Sequence, residues 1–131
     1  MSQENVELAH QLIDALNRRD LRAYLALMHP GVVAVPRLGG IEGDYRGHDG
    51  IRRWWEDFVE FLPDFVIDVV TVRDAAGLTL LHTRMRGHGR GSATPLDEPI
   101  WTAMEWRDGK CLWWASFDTE AEALEAVGLR E

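Results

Sequence analysis

The chain has a single cysteine, Cys111, in 131 residues. One thiol excludes a disulfide within the chain, and with it the stapled scaffold of small secreted domains. The composition fits a reducing compartment, and we expect the cytoplasm. Basic residues are in the minority, 14 Lys and Arg against 22 Asp and Glu, for a net charge of −8. Nucleic acids and anionic membranes both reward a basic face, so neither is expected as a partner. No apolar run approaches the roughly 20 residues that cross a bilayer. The opening "MSQENVELAH" lacks the basic stretch and apolar core of an export signal. No glycine-rich phosphate loop is present; "GHGRG" reads as the end of a strand. Five histidines and one cysteine are scattered without close ligand spacing, so no metal and no cofactor is expected. Repeats, low-complexity tracts and linkers are also missing, which points to one domain over residues 1–131.

Apolar material is plentiful, at 46% of the chain, and six of the aromatics are tryptophan. Val6, Ala9, Leu12, Ile13 and Leu16 recur at three and four and predict an amphipathic helix over Asn5–Leu16. Asp20 is placed to cap a second, short helix carrying Leu21, Tyr24, Leu25 and Met28, with Pro30 ending it. "GVVAVP" reads as a strand, "RLGGIEGDYRG" as a loop, and "HDGIRRWWEDFVEFL" as a third helix closed by Pro63. Four strand-like segments follow: "DFVIDVVTV", "LTLLHTRMRGHGRG", "EPIWTAMEW" and "CLWWASF". Asp108-Gly109 marks a hairpin between the last two. A terminal helix starts at the capping box Thr119-x-x-Glu122, with Gly128 where a C-terminal glycine would lie. The order α-α-β-α-β-β-β-β-α indicates an α+β fold with one curved antiparallel sheet.

Five stretches carry a family likeness in the right order. "ALNRRDLRAYLALMHPGVV" resembles the opening of SnoaL-like proteins, within the nuclear transport factor 2-like superfamily. "YRGHDGIRRWWEDF" resembles their third-helix entry, and "RMRGHGRGS", "WRDGK" and "EALEAVGL" their later strands and tail. The resemblance implies a cone-shaped antiparallel sheet wrapped around N-terminal helices, with a pocket at the open end. It also implies a homodimer through the outer sheet face. Polyketide cyclases, ketosteroid isomerases, epoxide hydrolases, dehydratases and non-catalytic proteins share that fold, so fold alone selects no activity.

Residue by residue, the resemblance narrows the choice. The general base of the isomerases falls on Val35 and their oxyanion-donating tyrosine on Leu12; neither can do that chemistry. The strand-borne acid of the cyclases falls near Asp118, one residue before the matched Thr119. An epoxide hydrolase relay would require Asp68, Arg84 and Asp118 to converge.

Strand alternation sorts the polar candidates. Leu78, Leu80, His82, Arg84 and Arg86 share one face of their strand, and Thr79, Leu81, Thr83 and Met85 the other. His82 is the best general-base candidate, because imidazole titrates near neutrality; a buried, hydrogen-bonded histidine is the competing reading. Trp101 and Glu105 share a face, and Trp113 and Trp114 must point to opposite faces. In "YRGHDGIRRWWEDF", His48 and Asp49 do not face each other on a helix, whereas Arg52 with Glu56 and Arg53 with Asp57 are spaced for ion pairs. Tyr45 remains at a loop rim, and Trp54 or Trp55 forms one wall of a pocket. The expectation is a protein that binds a small hydrophobic molecule among Trp54, Trp55, Arg84, Trp101, Glu105 and Trp114. His82, Asp118 and Tyr45 are the candidates for cofactor-free acid/base catalysis. The alternative is a non-catalytic binding or accessory protein of the same fold, or one whose cavity its own tryptophans fill.

Overall fold

A computed structural model describes residues 3–37 and 44–130. Most of the loop "RLGGIEGDYRG" therefore lies outside the described residues. The elements are α1 (Gln3–Asn17), α2 (Leu21–Ala26), β1 (Met28–Val35), β2 (Tyr45–Arg46), α3 (Gly47–Phe61), β3 (Val66–Ala75), β4 (Leu78–His88), β5 (Pro95–Arg107), β6 (Lys110–Phe117) and α4 (Glu120–Arg130). The strands form one sheet in the order β2-β1-β6-β5-β4-β3. The fold is the expected α+β architecture, but the sheet is mixed. β3 to β6 form the antiparallel meander, whereas β1 runs parallel to β6, with Val35 opposite Ala115.

The apolar faces of α1, α2 and α3 pack on one side of this sheet and make the main core, around Leu12, Tyr24, Trp54, Phe58 and Trp114. On the other side α4 lays Ala123 and Val127 against Leu80 and Ala103, forming a second, smaller core. Trp101, Trp113 and Phe117 pack at the margin of that outer core.

Local chemistry sets the element ends. The Asp20 carboxylate accepts from the Ala23 N–H at 3.0 Å, capping α2. That helix ends at Ala26, earlier than expected, and Met28 already belongs to β1. Pro30 lacks the N–H that would bond the Ala26 carbonyl, so the helix cannot run on through that turn. Gly47 opens α3 with φ +69°, in the left-handed region that favours glycine. A Cβ on Gly50 would sit 2.9 Å from the Tyr45 carbonyl carbon, so α3 can close on β2 only with glycine there. At α4 the capping box forms: the Glu122 N–H donates to Thr119 Oγ1 and the Thr119 N–H to Glu122 Oε1, both at 3.2 Å. Gly128 does not end that helix, which continues to Arg130. Arg130 reaches back to Glu105 and lies over the Trp113 ring, which holds the last turn in place. Arg52 pairs with Asp49 at 2.9 Å rather than with Glu56.

The free edge of β3 is paired from within the chain at Ile67. The Asn17 amide donates to the Ile67 carbonyl at 2.9 Å and accepts the Ile67 N–H at 2.8 Å. One side chain thus stands in for a neighbouring strand at a sheet edge. Arg19 supports the same corner by donating to the Pro63 and Phe65 carbonyls, its guanidinium 3.5 Å from the Phe65 ring centroid. Asn17→Ala strands both backbone groups of Ile67 and should cost about 1–3 kcal/mol. The expected result is a lower midpoint in urea unfolding with an unchanged slope.

Candidate functional site

Between the three N-terminal helices and the concave sheet face lies a cavity of about 70 Å³. Leu12 and Leu16 reach it from α1, Tyr24 from α2, and Trp54 and Phe58 from α3. Strand alternation brings Leu81, Thr83 and Met85 of β4 in beside Ile100, Thr102 and Met104 of β5 and Trp114 and Ser116 of β6. Pro36, Arg37 and Ser116 are the lining residues that are only half-buried. They cluster where β1 and β6 end, and mark the mouth.

Aromatic packing holds the interior. Trp54 stacks on Phe58 at 5.5 Å and meets Trp114 edge-on at 5.0 Å. Tyr24 lies within 5.8 Å of the Trp54 ring and 5.1 Å of the Trp55 ring. Such pairs add roughly 0.5–1.5 kcal/mol each beyond the area they bury, so this wall is pre-set. The Thr102 and Ser116 hydroxyls pair at 2.9 Å. Burial pushes the Tyr24 phenol well above its usual range, although the Trp114 indole opposes the shift. Tyr24 is therefore a neutral phenol at any ordinary pH.

Arg37 was read from sequence as the first residue of a loop and attracted no role. The structure makes it the one charged residue lining the cavity among the described residues. Nη1 pairs with Asp118 at 2.8 Å, and Nη2 lies 4.0 Å from Glu98. Nε and Nη2 are buried and have no hydrogen-bond partner among the described residues. The indole N–H groups of Trp54 and Trp114 are in the same condition; the latter approaches Tyr24 without making a bond of good geometry. The usable signal for Arg37 is its position. It stands two residues past Val35 and Asp118 three past Ala115, and these two strand residues are partners in the parallel register.

The structure does not bring His82, Asp118 and Tyr45 together. His82 lies on the outer sheet face, stacked on Trp101 with ring centroids 3.8 Å apart. Its neighbours Leu81 and Thr83 take the inner face, so alternation turns the imidazole away. Trp101 and Glu105 are outside for the same reason, Glu105 in an ion pair with Arg130. Tyr45 is fully buried, its hydroxyl 3.3 Å from Asp57, and it is not part of the lining. Trp55 is buried behind Tyr24 rather than on the cavity wall. Trp54 and Trp114 line the cavity, and Asp118 touches it through Arg37. The hydrolase relay does not form: Asp68 pairs with Arg86, Arg84 with Asp97, and Asp118 with Arg37. His48 is structural, its Nε2 bonded to the Met28 carbonyl at 2.9 Å.

A mixed sheet curled over three helices around an apolar cavity defines a protein of the nuclear transport factor 2-like class. More closely, residues 9–114 match the SnoaL-like domain, and the chain belongs to that family. No curated protein sequence matches it. Several solved structures share the fold. A nuclear transport factor 2-like protein of unknown function from Burkholderia pseudomallei superposes with a TM-score of 0.80 at 16% identity, covering 94% of this chain and 96% of that one. TerC, co-crystallised with polyporic acid, gives 0.77 at 21% identity over 94% and 99%. IdmH, a candidate polyketide cyclase from Streptomyces antibioticus, gives 0.75 at 20% identity over 96% and 99%. No helix among the described residues is long and apolar enough to cross a membrane.

Cys111 is fully buried, and desolvation raises its thiol to about 12. A thiol so held is protonated and shielded, hence unreactive. A thiol reagent at pH 8 should therefore label the native protein only at the rate of global unfolding. Fast labelling without denaturant would place Cys111 in an opening region instead.

Proposed function

We propose that the protein binds a small hydrophobic molecule in the cavity between the helices and the concave sheet face. The observation that carries this reading is the lining. It is aromatic and aliphatic inside, with polar groups gathered at one mouth, which is how small-molecule sites are built. The volume is modest. A dry cavity of about 150 Å³ admits benzene, so an aromatic ring requires side chains to yield. Met85 and Met104 line the cavity, and methionine is the residue best suited to yield.

Of the two readings, binding without acid/base chemistry has the stronger support. Apart from Arg37 and Tyr24, the described lining holds no titratable group; the first is permanently charged and the second permanently neutral. Asp118, the one proposed catalytic group near the mouth, is committed to Arg37. The likeness to IdmH and TerC is one of fold, and their ligands are not carried over as such. We further propose the homodimer through the outer sheet face; the half-buried Trp101 and Trp113 at the margin of α4 are the surface that supports it.

An NMR titration with cinnamyl alcohol, a slim neutral aromatic, tests the binding reading. The indole N–H signals of Trp54 and Trp114 should move, and those of Trp101 and Trp113 should not. Leu81→Trp should abolish those shifts at a stability cost of about 1–3 kcal/mol from overpacking. His82→Ala should leave binding within about twofold, as expected for a surface change away from the site. Shifts confined to Trp101 and Trp113 would move the site to the other sheet face.

A further inference from the structure

The described residues contain four buried side-chain nitrogen or oxygen atoms with no hydrogen-bond partner: Arg37 Nε and Nη2, Trp54 Nε1 and Trp114 Nε1. All three residues line the same cavity, and all four atoms are donors. Indole and guanidinium have no accepting capacity at all. Buried polar groups in folded proteins are satisfied as a rule, and an unsatisfied cluster calls for a specific cause. Chance scatter would spread such atoms through the core and mix donors with acceptors. Here they share one sign and one location.

Resting on the binding role proposed above, we infer that the cavity is selective for a planar molecule edged with acceptor oxygens, carrying a carboxylate, phenolate or enolate oxygen at Arg37. Arg37 is set up for this in three ways. Asp118 engages Nη1 at 2.8 Å, which leaves the other two nitrogens for a ligand. Nε and Nη2 make no hydrogen bond, Glu98 standing 4.0 Å from Nη2, and these adjacent N–H groups form the fork that takes an oxyanion bidentately. Their burial keeps water from competing, which strengthens a charge-assisted bond. The two indoles add neutral donors within the aromatic wall, suited to carbonyl oxygens on the same ring system.

The discrimination arises from what each ligand leaves unpaired. An acceptor-rich ligand satisfies donors that the protein cannot satisfy itself. A ligand whose polar edge consists of donors sets N–H against N–H and loses its own hydration without compensation. A pure hydrocarbon fills space but leaves the donors orphaned.

Three probes of nearly the same shape test this at neutral pH: cinnamate, cinnamamide and trans-β-methylstyrene. Binding is followed at the Trp54 and Trp114 indole signals. Affinity should fall in that order, with cinnamate about ten- to hundredfold above cinnamamide, the range of a hydrogen bond to a charged group. Arg37→Met should bring cinnamate down to the level of cinnamamide and leave β-methylstyrene unchanged. Arg37→Lys keeps the charge without the fork, and should fall between the two. It also reads the effect should the Met variant fail to fold. Equal binding of all three probes, or a cinnamate affinity untouched by both variants, would overturn the selectivity while leaving the cavity as a binding site. If none of the probes moves Trp54 or Trp114, the binding reading itself fails, and this inference with it.

Discussion

The parallel pairing of β1 with β6 is the constraint on which the site depends. Every other neighbouring pair in the sheet is antiparallel, and β3 to β6 follow one another along the chain. β1 and β6 are far apart in sequence yet lie side by side in the sheet. Because they run the same way, they end at the same edge. That brings Pro36 and Arg37 beside Ser116 and Asp118. An antiparallel β1 would instead leave Arg37 near Lys110, at the wrong end of the cavity. The start of the pairing is anchored by the Cys111 N–H on the Leu27 carbonyl at 2.7 Å and by Lys110 on the Ala26 carbonyl. The Arg37–Asp118 contact contributes little stability, since the carboxylate is 65% exposed and such pairs are worth under about 1 kcal/mol. What it supplies is direction.

The two sheet faces divide the chemistry between them. On the outer face, charges are paired locally: Arg84 with Asp97, Arg86 with Asp68, Arg73 with Glu120, Glu105 with Arg130. His82 is covered by Trp101. That face therefore satisfies itself. The inner face is the reverse. The cavity lining is apolar apart from the Tyr24 hydroxyl, Thr83, Thr102, Ser116 and Arg37, and the residues that carry the unpartnered donors all belong to it. A single-residue slip in β4 would exchange these faces wholesale, placing His82 and Arg84 in the cavity and Leu81 and Met85 in solvent. Hydrophobic burial of Leu81 and Met85 fixes the register, and so indirectly decides which polar groups can meet a ligand.

Most of the fold was legible in the sequence because it is written locally. The helical periodicity of α1 and α3, the Asp20 cap, the capping box at Thr119 and the Asp108-Gly109 turn each act over a few residues. The family likeness supplied the assembly. Some errors are local, as at the end of α2 and the partner of Arg52; others are not. Gly128 looked like a helix stop, but Glu105 and Trp113 hold Arg130 from across the sheet. The site was less legible for the same reason. Alternation correctly separated His82 from Leu81, but alternation alone cannot say which face is inside. The face with histidine and arginines was the more chemical, and it is the outer one. Arg37 gave no signal at all, because a lone arginine after a proline acquires meaning only once β1 is laid parallel to β6.

The described cavity lining has few titratable groups and several unpartnered donors, and the two features act together. Of the two positions on which the resemblance puts the isomerases' base and oxyanion donor, Val35 and Leu12, only the second reaches the cavity. Leu12 lines the cavity, whereas Val35 faces the outer groove with Val33 and Trp113. A base in an apolar cavity needs its proton affinity tuned by burial and neighbours, and it must release what it takes. Arginine and indole do neither; they only hold charge and donate. Under the proposed binding role, a cavity furnished with them would stabilise negative charge already present on a ligand. The same donors would serve the proposed binding role, for which the guanidinium is best engaged before the ligand arrives, and Asp118 contacts it at the mouth.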